Sequence, residues 1–388
     1  MQQPWQRIFI RLASGIGYFE GIAISAGGMN AGISINQLRC DVQIVYRALI
    51  FLALLLPATS WTVEESGQPD PLFQSNEIFD VRLIAPLTTL VKDRPTDEDL
   101  QGIFQFTESD NTVVDFDVQI RTRGHFRHDT CDFPPLWLNF EKSQTKDTLF
   151  DKQVRLKLVV HCDDSDRYEQ TVLREYLAYR YFNVITDQSF RVRLLRVTYV
   201  DTDDRLDEQT RYAFLIEHKN RVGIRLERKD LKLDRTTVNA IQADHLNLTS
   251  IFELFLGNTD FSPVAGAPGN ECCHNYVLFG NDVDPLLSIP YDFDQSGIVN
   301  APYAVANENL GIRSVRQRLY RGRCANNEHV PTSLQAFQDN REAIYKLVED
   351  QEGLESRTRK NIVSYIDDFY ELIEDPRDVE RKILKKCL

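Results

Sequence analysis

The sequence predicts an α+β protein in two lobes, β-rich towards the N-terminus with one helix and mainly helical towards the C-terminus. Three observations carry that expectation. Between residues 78 and 141, short Val-, Ile- and Phe-rich runs alternate apolar and polar positions, the period of half-buried strands. One stretch, DRYEQTVLREYLAYRYFNVI, changes to helical spacing, with Val172, Leu173, Tyr176, Leu177 and Tyr181 on one stripe. Near the C-terminus, SLQAFQDNREAIYKLVED and SRTRKNIVSYIDDFYELIED read as amphipathic helices.

In chain order, residues 1–60 read as a leader. VYRALIFLALLLPATSW has a basic start at Arg47, an apolar run from Ala48 to Leu56 and small residues at Ala58 and Ser60, the layout of a secretory signal peptide. Residues 1–41 carry no clear period, so the reading frame is expected to begin near Val42, with the signal at Val42–Ser60. A membrane-anchoring N-terminal segment is the alternative. The apolar run is too short for a comfortable permanent span, and none is expected after cleavage. Residues 61–76 are polar and bear Pro and Gly, as a linker does. Residues 77–217 form the β-rich lobe: IFDVRLIAPL, GIFQFT, VVDFDVQIRTRG, LWLNFE and QVRLKLVVHC before the helix, RVRLLRVTYVD and RYAFLIEHK after it. Residues 218–388 form the helical lobe. Ligands bind in clefts, and a cleft between lobes is the natural place for one.

Composition narrows the function. The 388 residues include 42% hydrophobic and 27% charged, ordinary for a globular chain, with a formal net charge of −13. An acidic chain without a basic tail argues against nucleic acid as partner. Seven cysteines stand at positions 40, 131, 162, 272, 273, 324 and 387, and removing the leader leaves six. An even number after a signal peptide predicts disulfides in an exported protein, periplasmic, envelope-associated or extracellular, with fifteen pairings open. No Cys-x-x-Cys supports zinc.

The chemistry gathers in FLGNTDFSPVAGAPGNECCHNYVLFGNDVDPLLSIPYDFDQSG, Phe255–Gly297. Asp260 follows an apolar helical run. Asn275 precedes one strand pattern and Asp292 follows the next, so a hairpin would set them side by side with Asp260 in the loop above. That arrangement suits phosphoryl transfer: one carboxylate takes the nucleophile's proton, while an amide and a second carboxylate hold a divalent cation on the phosphates. The motifs IRTRGHFR, RLKLVV, VLREYLAYRYF, YAFLIEH, GNTD…CHNYVLF and IPYDFDQSG occur in the order found in the CotH family of atypical, protein-kinase-like proteins, which the chain resembles over roughly residues 115–300. The resemblance implies a two-lobed protein-kinase-like fold and a kinase using ATP with magnesium or manganese on a protein or other hydroxyl acceptor. It implies Asp260 as catalytic aspartate, Asn275 and Asp292 as metal ligands and Asp294 as the second acid of that motif. It also places Glu217 near the ribose. The chain departs from the family in two respects. Fourteen residues separate Asp260 from Asn275, an insertion that a disulfide at Cys272 or Cys273 would tie down. The lysine expected after Arg-Gly is absent, leaving Lys157 as the phosphate-binding cation and Glu175, or else Glu169, as its ion-pair partner.

Simpler uses exist for each residue. Asp260 also suits a helix cap or Asx turn, and Asp292 and Asp294 suit calcium. Lys157 also reads as a surface lysine, and Glu175 as half of a surface pair. Arg121 and Arg123 suit either phosphate or cross-strand ion pairs. Arg313, Arg316, Arg318, Arg321 and Arg323 suit either an anionic substrate or internal pairing. His161 and His274 lack partners at ligand spacing and carry no assigned chemistry. No Gly-x-Ser-x-Gly, His-Glu-x-x-His or Gly-x-Gly-x-x-Gly motif occurs. Alternatives to the kinase are AMP transfer at the same site and a secreted binding module without catalysis.

Overall fold

The computed structural model describes residues 67–388, apart from 109, 110 and 268. The leader expected at residues 1–60 lies outside the described residues, as does the start of the expected linker. Strand β1 (Phe79–Ala85) is followed by helix α1 (Leu87–Asp93), β2 (Leu100–Thr107), β3 (Val113–Thr122), α2 (Phe126–Thr130), β4 (Leu136–Phe140), α3 (Lys142–Thr145) and β5 (Arg155–Val159). Then come α4 (Asp166–Ile185), β6 (Val192–Asp201), β7 (Gln209–Ile216), α5 (Lys219–Arg225), β8 (Lys229–Asp230), α6 (Ala243–Leu256), β9 (Tyr276–Gly280) and β10 (Leu287–Pro290). The chain ends in α7 (Val330–Asp339), α8 (Arg341–Asp350), α9 (Ser356–Glu374) and α10 (Pro376–Val379).

The expected two-lobed, protein-kinase-like fold is corrected by this arrangement. The described residues form one compact unit, and seven strands close a barrel in the order β1-β2-β3-β4-β5-β7-β6. Period-two patterning finds the strands but says nothing of their closure. Closure comes from parallel pairing of β1 with β6, Val81 opposite Val197, between strands more than a hundred residues apart. The Arg196–Asp80 ion pair, at 2.6 Å, lies across that seam. A closed barrel leaves no unpaired edge.

Alternation decides what each barrel strand does. Phe116, Val118 and Ile120 of β3, Leu136, Leu138 and Phe140 of β4, and Leu156 and Leu158 of β5 point inward and are buried. Phe150, in the loop before β5, packs against Phe104, Phe106, Phe116 and Phe140 at ring distances of 5.0–5.6 Å. Such edge and tilted contacts add to the area term. Leu72 and Phe73 join the same core, and Asp70 is ion-paired to Arg221 at 2.7 Å.

The outer faces of β6 and β7 carry a second core with the helices. Helix α4 lays Tyr176 and Tyr179 against Phe214, and Phe182 stacks on Phe252 of α6 at 4.3 Å. Helix α6 is buried nearly all round, which marks it as the central helix of this layer. The two amphipathic patterns near the C-terminus appear as α7 with α8, broken at Asn340, and as α9. Disulfides join Cys131 to Cys162, Cys272 to Cys273 and Cys324 to Cys387. Among the described residues no helix is long and apolar enough to cross a membrane.

Candidate functional site

A cavity of about 450 Å³ opens against the outer wall of the barrel, where β4, β5 and the end of β7 meet α4 and the β9–β10 hairpin. Ligand pockets have this size. The strand period sets its floor. With Leu156 and Leu158 turned into the barrel, Lys157 faces the other way, paired in register with Trp137 and Ile216. Its Nζ lies 5.6 Å from the Trp137 ring centroid and 4.4 Å from that of Tyr291, cation–π contacts that hold the ammonium over the cavity. No carboxylate comes within ion-pair distance of Lys157 among the described residues. Burial first, and then the Arg123 guanidinium, lower its pKa to about 7.

Arg123, in the β3–α2 connection, and Arg127, in α2, line the cavity with Lys157. Arg123 donates through Nε to the Leu136 carbonyl at 3.2 Å and lines the cavity, whereas Arg121 is taken by Asp99 at 3.7 Å. Glu175 lines the cavity from α4, but its expected pairing with Lys157 is corrected: its partner is Arg127, Nη1 to Oε2 at 3.1 Å. Arg127 stood unassigned within RGHFR, because sequence spacing does not reveal that the short α2 turns it inward.

The hairpin is as the strand patterns predicted, with Tyr276 opposite Pro290 and the Tyr291 N–H donating to the Asn275 carbonyl at 3.0 Å. Asn275 and Asp292 thus sit at adjoining strand ends, with φ of 55° and 66°. Asn and Asp tolerate this left-handed region best among residues with a side chain, and such outliers cluster at functional sites. Phe293 is buried between Tyr179 and Phe252, anchoring the motif so that an acid stands on each side. The Asp292 N–H donates to the Tyr179 hydroxyl at 2.8 Å. Asp294 is buried and its carboxyl is pushed well above the usual range, first by burial and then by Asp292 and Glu175. Burial, with Asp292 adding and Arg127 opposing, likewise raises Glu175.

Asp260 completes the rim. Gly257, at φ 65°, ends α6 as its left-handed cap, and a Cβ there would overlap the Tyr365 hydroxyl. The chain therefore turns tightly into Asn258, Thr259 and Asp260. The fourteen-residue insertion folds back on itself, with Ser262 bridged to His274. Its two cysteines bond to each other, so no disulfide ties it elsewhere, contrary to expectation. The fold-back brings His274 Nε2 to 2.7 Å from Asp260 Oδ1, and Asn275 Nδ2 donates to Asp260 Oδ2 at 3.1 Å. The Asp260 bond raises the His274 pKa, and both side chains remain 43% exposed. His274 is the residue that spacing missed, because its partner is brought near only by the insertion's return.

Glu217 lines not this cavity but an adjoining one of about 290 Å³, where Arg225 donates to both its oxygens at 3.2 and 2.8 Å and the Arg191 N–H adds a third bond at 3.1 Å. Two members of the arginine run are committed to the backbone: Arg318 donates to carbonyls of Leu254, Phe255 and Tyr365, and Arg321 to those of Thr259 and Phe261. Two of these carbonyls belong to the last turn of α6, where a cation is favoured.

The cavity therefore sets cations (Lys157, Arg123, Arg127) opposite acids (Asp260, Asp292, Asp294). The Asp292 and Asp294 carboxylates and the Asn275 amide oxygen accept no protein hydrogen bond among the described residues. They form a hard-oxygen donor set of the size magnesium takes when phosphates complete its shell. Among the described residues, no three His, Cys, Asp or Glu side chains form a metal cage. No family model, curated protein or solved structure matches this chain.

Proposed function

We propose that the cavity binds ATP with magnesium or manganese and transfers a phosphoryl group to a hydroxyl acceptor on a protein or other molecule, the activity that the CotH resemblance implies. The observation that carries the reading is the split of charge within one cavity. Lys157 lacks an acidic partner while Asp292, Asp294 and Asn275 lack donors, so an anion and a divalent cation together would satisfy both sides.

Lys157, Arg123 and Arg127 would hold the phosphate oxygens, and binding an anion returns the Lys157 charge that burial opposes. Asn275, Asp292 and Asp294 would hold the metal, which supplies neutralisation of charge on the phosphates. Asp260 would take the acceptor proton as the hydroxyl oxygen bonds to phosphorus and the bond to the leaving diphosphate breaks. His274 fixes one Asp260 oxygen and Asn275 the other, leaving each with a lone pair for the incoming hydroxyl.

The test is the melting temperature of the purified protein with ATP and either metal, beside Asp292→Asn, which keeps the left-handed backbone tolerable. A ligand at a hundred times its Kd adds about 2.7 kcal/mol. A rise in the parent that vanishes in the variant supports the reading. No rise with any nucleotide, in protein shown to be folded, sinks it.

A further inference from the structure

A second cavity, of about 500 Å³, shares no lining residue with the first. It lies where the start of α9 meets α4 and the Val299–Asn300 turn, and it is lined by Arg167, Arg174, Arg357, Thr358, Asn300 and Asn361, among others. On a chain of net charge −13, acids to pair with these arginines are plentiful. Yet Arg167, Arg174 and Arg357 have no carboxylate within ion-pair distance among the described residues. Glu355 is the single acid in the lining.

We propose that this cavity is a site for a phosphate-class dianion, free or carried as a monoester. Arg174 spends one N–H on the Val299 carbonyl at 3.2 Å, and its other N–H groups have no protein acceptor among the described residues. Burial and then the neighbouring Arg316 charge disfavour the charged Arg174, a cost that an anion would remove. The first turn of α9 faces the same space without a side-chain cap, so its N–H groups remain for an anion. Thr358 is 6% exposed, lines the cavity and has no hydrogen-bond partner for its hydroxyl among the described residues. Guanidinium forks, helix N–H groups and a hydroxyl are the donors that recognise tetrahedral oxyanions. Helix α4 carries Arg167 and Arg174 to this cavity and Glu175 and Tyr179 to the first, so an occupant here bears on the helix that walls the candidate site.

The experiment measures Kd for inorganic phosphate and for phosphoserine by calorimetry on the purified protein at fixed ionic strength, with acetate as a monoanion control. The variants are Arg167→Ala/Arg357→Ala, both exposed and so safe for folding, Thr358→Val, and Lys157→Met in the first cavity. Measured in the Lys157→Met background, which removes the unpaired cation of the first cavity, phosphate affinity should fall about tenfold or more on adding the arginine pair and less on adding Thr358→Val. Tighter binding of phosphoserine would identify the monoester as the source, and tighter inorganic phosphate the free ion. Affinity unchanged by the arginine pair, lost by Lys157→Met alone, or matched by acetate would overturn the proposal.

Discussion

Glu217 and Glu175 are both buried acids paired with an arginine, and the two pairs differ in how far they close on themselves. Glu217 takes two bonds from Arg225 and one from a main-chain N–H, and Arg225 spends its other donors on the Asp187 and Ser189 carbonyls. Their side chains are 1% and 2% exposed. Glu175 has one contact, from Arg127, whose Nε has no partner, and both stand in the field of Asp292 beside an open cavity. A charge pair whose donors and acceptors balance is a strut. One left unbalanced beside other charges is a place for a ligand.

The sharpest way to break this comparison is to remove the acid from each pair. Glu217→Ala leaves Arg225 buried with its main partner gone, and the expected loss is about 3–5 kcal/mol in urea unfolding. Nucleotide affinity should change only as far as the fold is weakened. Glu175→Gln keeps the shape of a group that burial already drives towards its neutral form. It should cost on the order of 1 kcal/mol while weakening ligand binding. Equal stability losses at the two positions would end the distinction.

A second test concerns pH. Below about pH 7 Lys157 is charged in both folded and unfolded chains, so the folded state bears the whole cost of burying the charge. Between its folded pKa of about 7 and the unfolded value near 10.4, the folded chain releases the proton first, and stability rises with pH. Urea unfolding at pH 7 and 9.5 should show the parent gaining on the order of 2 kcal/mol relative to Lys157→Met. No relative gain would mean that the ammonium is solvated, and the contrast between strand faces would fail.

The same contrast explains what could be read in advance. The alternation in QVRLKLVV places Lys157 opposite Leu156 and Leu158, so its outward direction was legible, and the hairpin patterns placed Asn275 beside Asp292. Closure of the barrel was not legible, because it rests on one parallel pairing between distant strands whose side chains look like those of any other strand. Nor was the exchange of partners: Glu175 meets Arg127 because α2 and α4 pack together, and no local period encodes that. Nor was the Glu217–Arg225 pair, because a buried ion pair and a ligand-binding acid have the same sequence, differing only in how many donors surround them.

The smallest expected effect tests whether the insertion belongs to the strut or to the site. Cys131–Cys162 and Cys324–Cys387 join residues 31 and 63 apart, and closing such loops restricts the unfolded chain. Cys272–Cys273 joins neighbours and closes no loop of consequence, so the entropic benefit is nearly absent. Its position is another matter. Cys273 lines the candidate cavity, and both cysteines line an adjoining cavity of about 290 Å³ that shares Trp137, Lys157 and Tyr291 with it. The next two residues are His274 and Asn275, which hold Asp260. Cys272→Ser/Cys273→Ser should therefore unfold within roughly 0.5 kcal/mol of the parent, and its ATP–metal affinity by calorimetry should fall. A loss of stability like that expected for Glu217→Ala, with affinity intact, would place the insertion among the struts and remove it from the site.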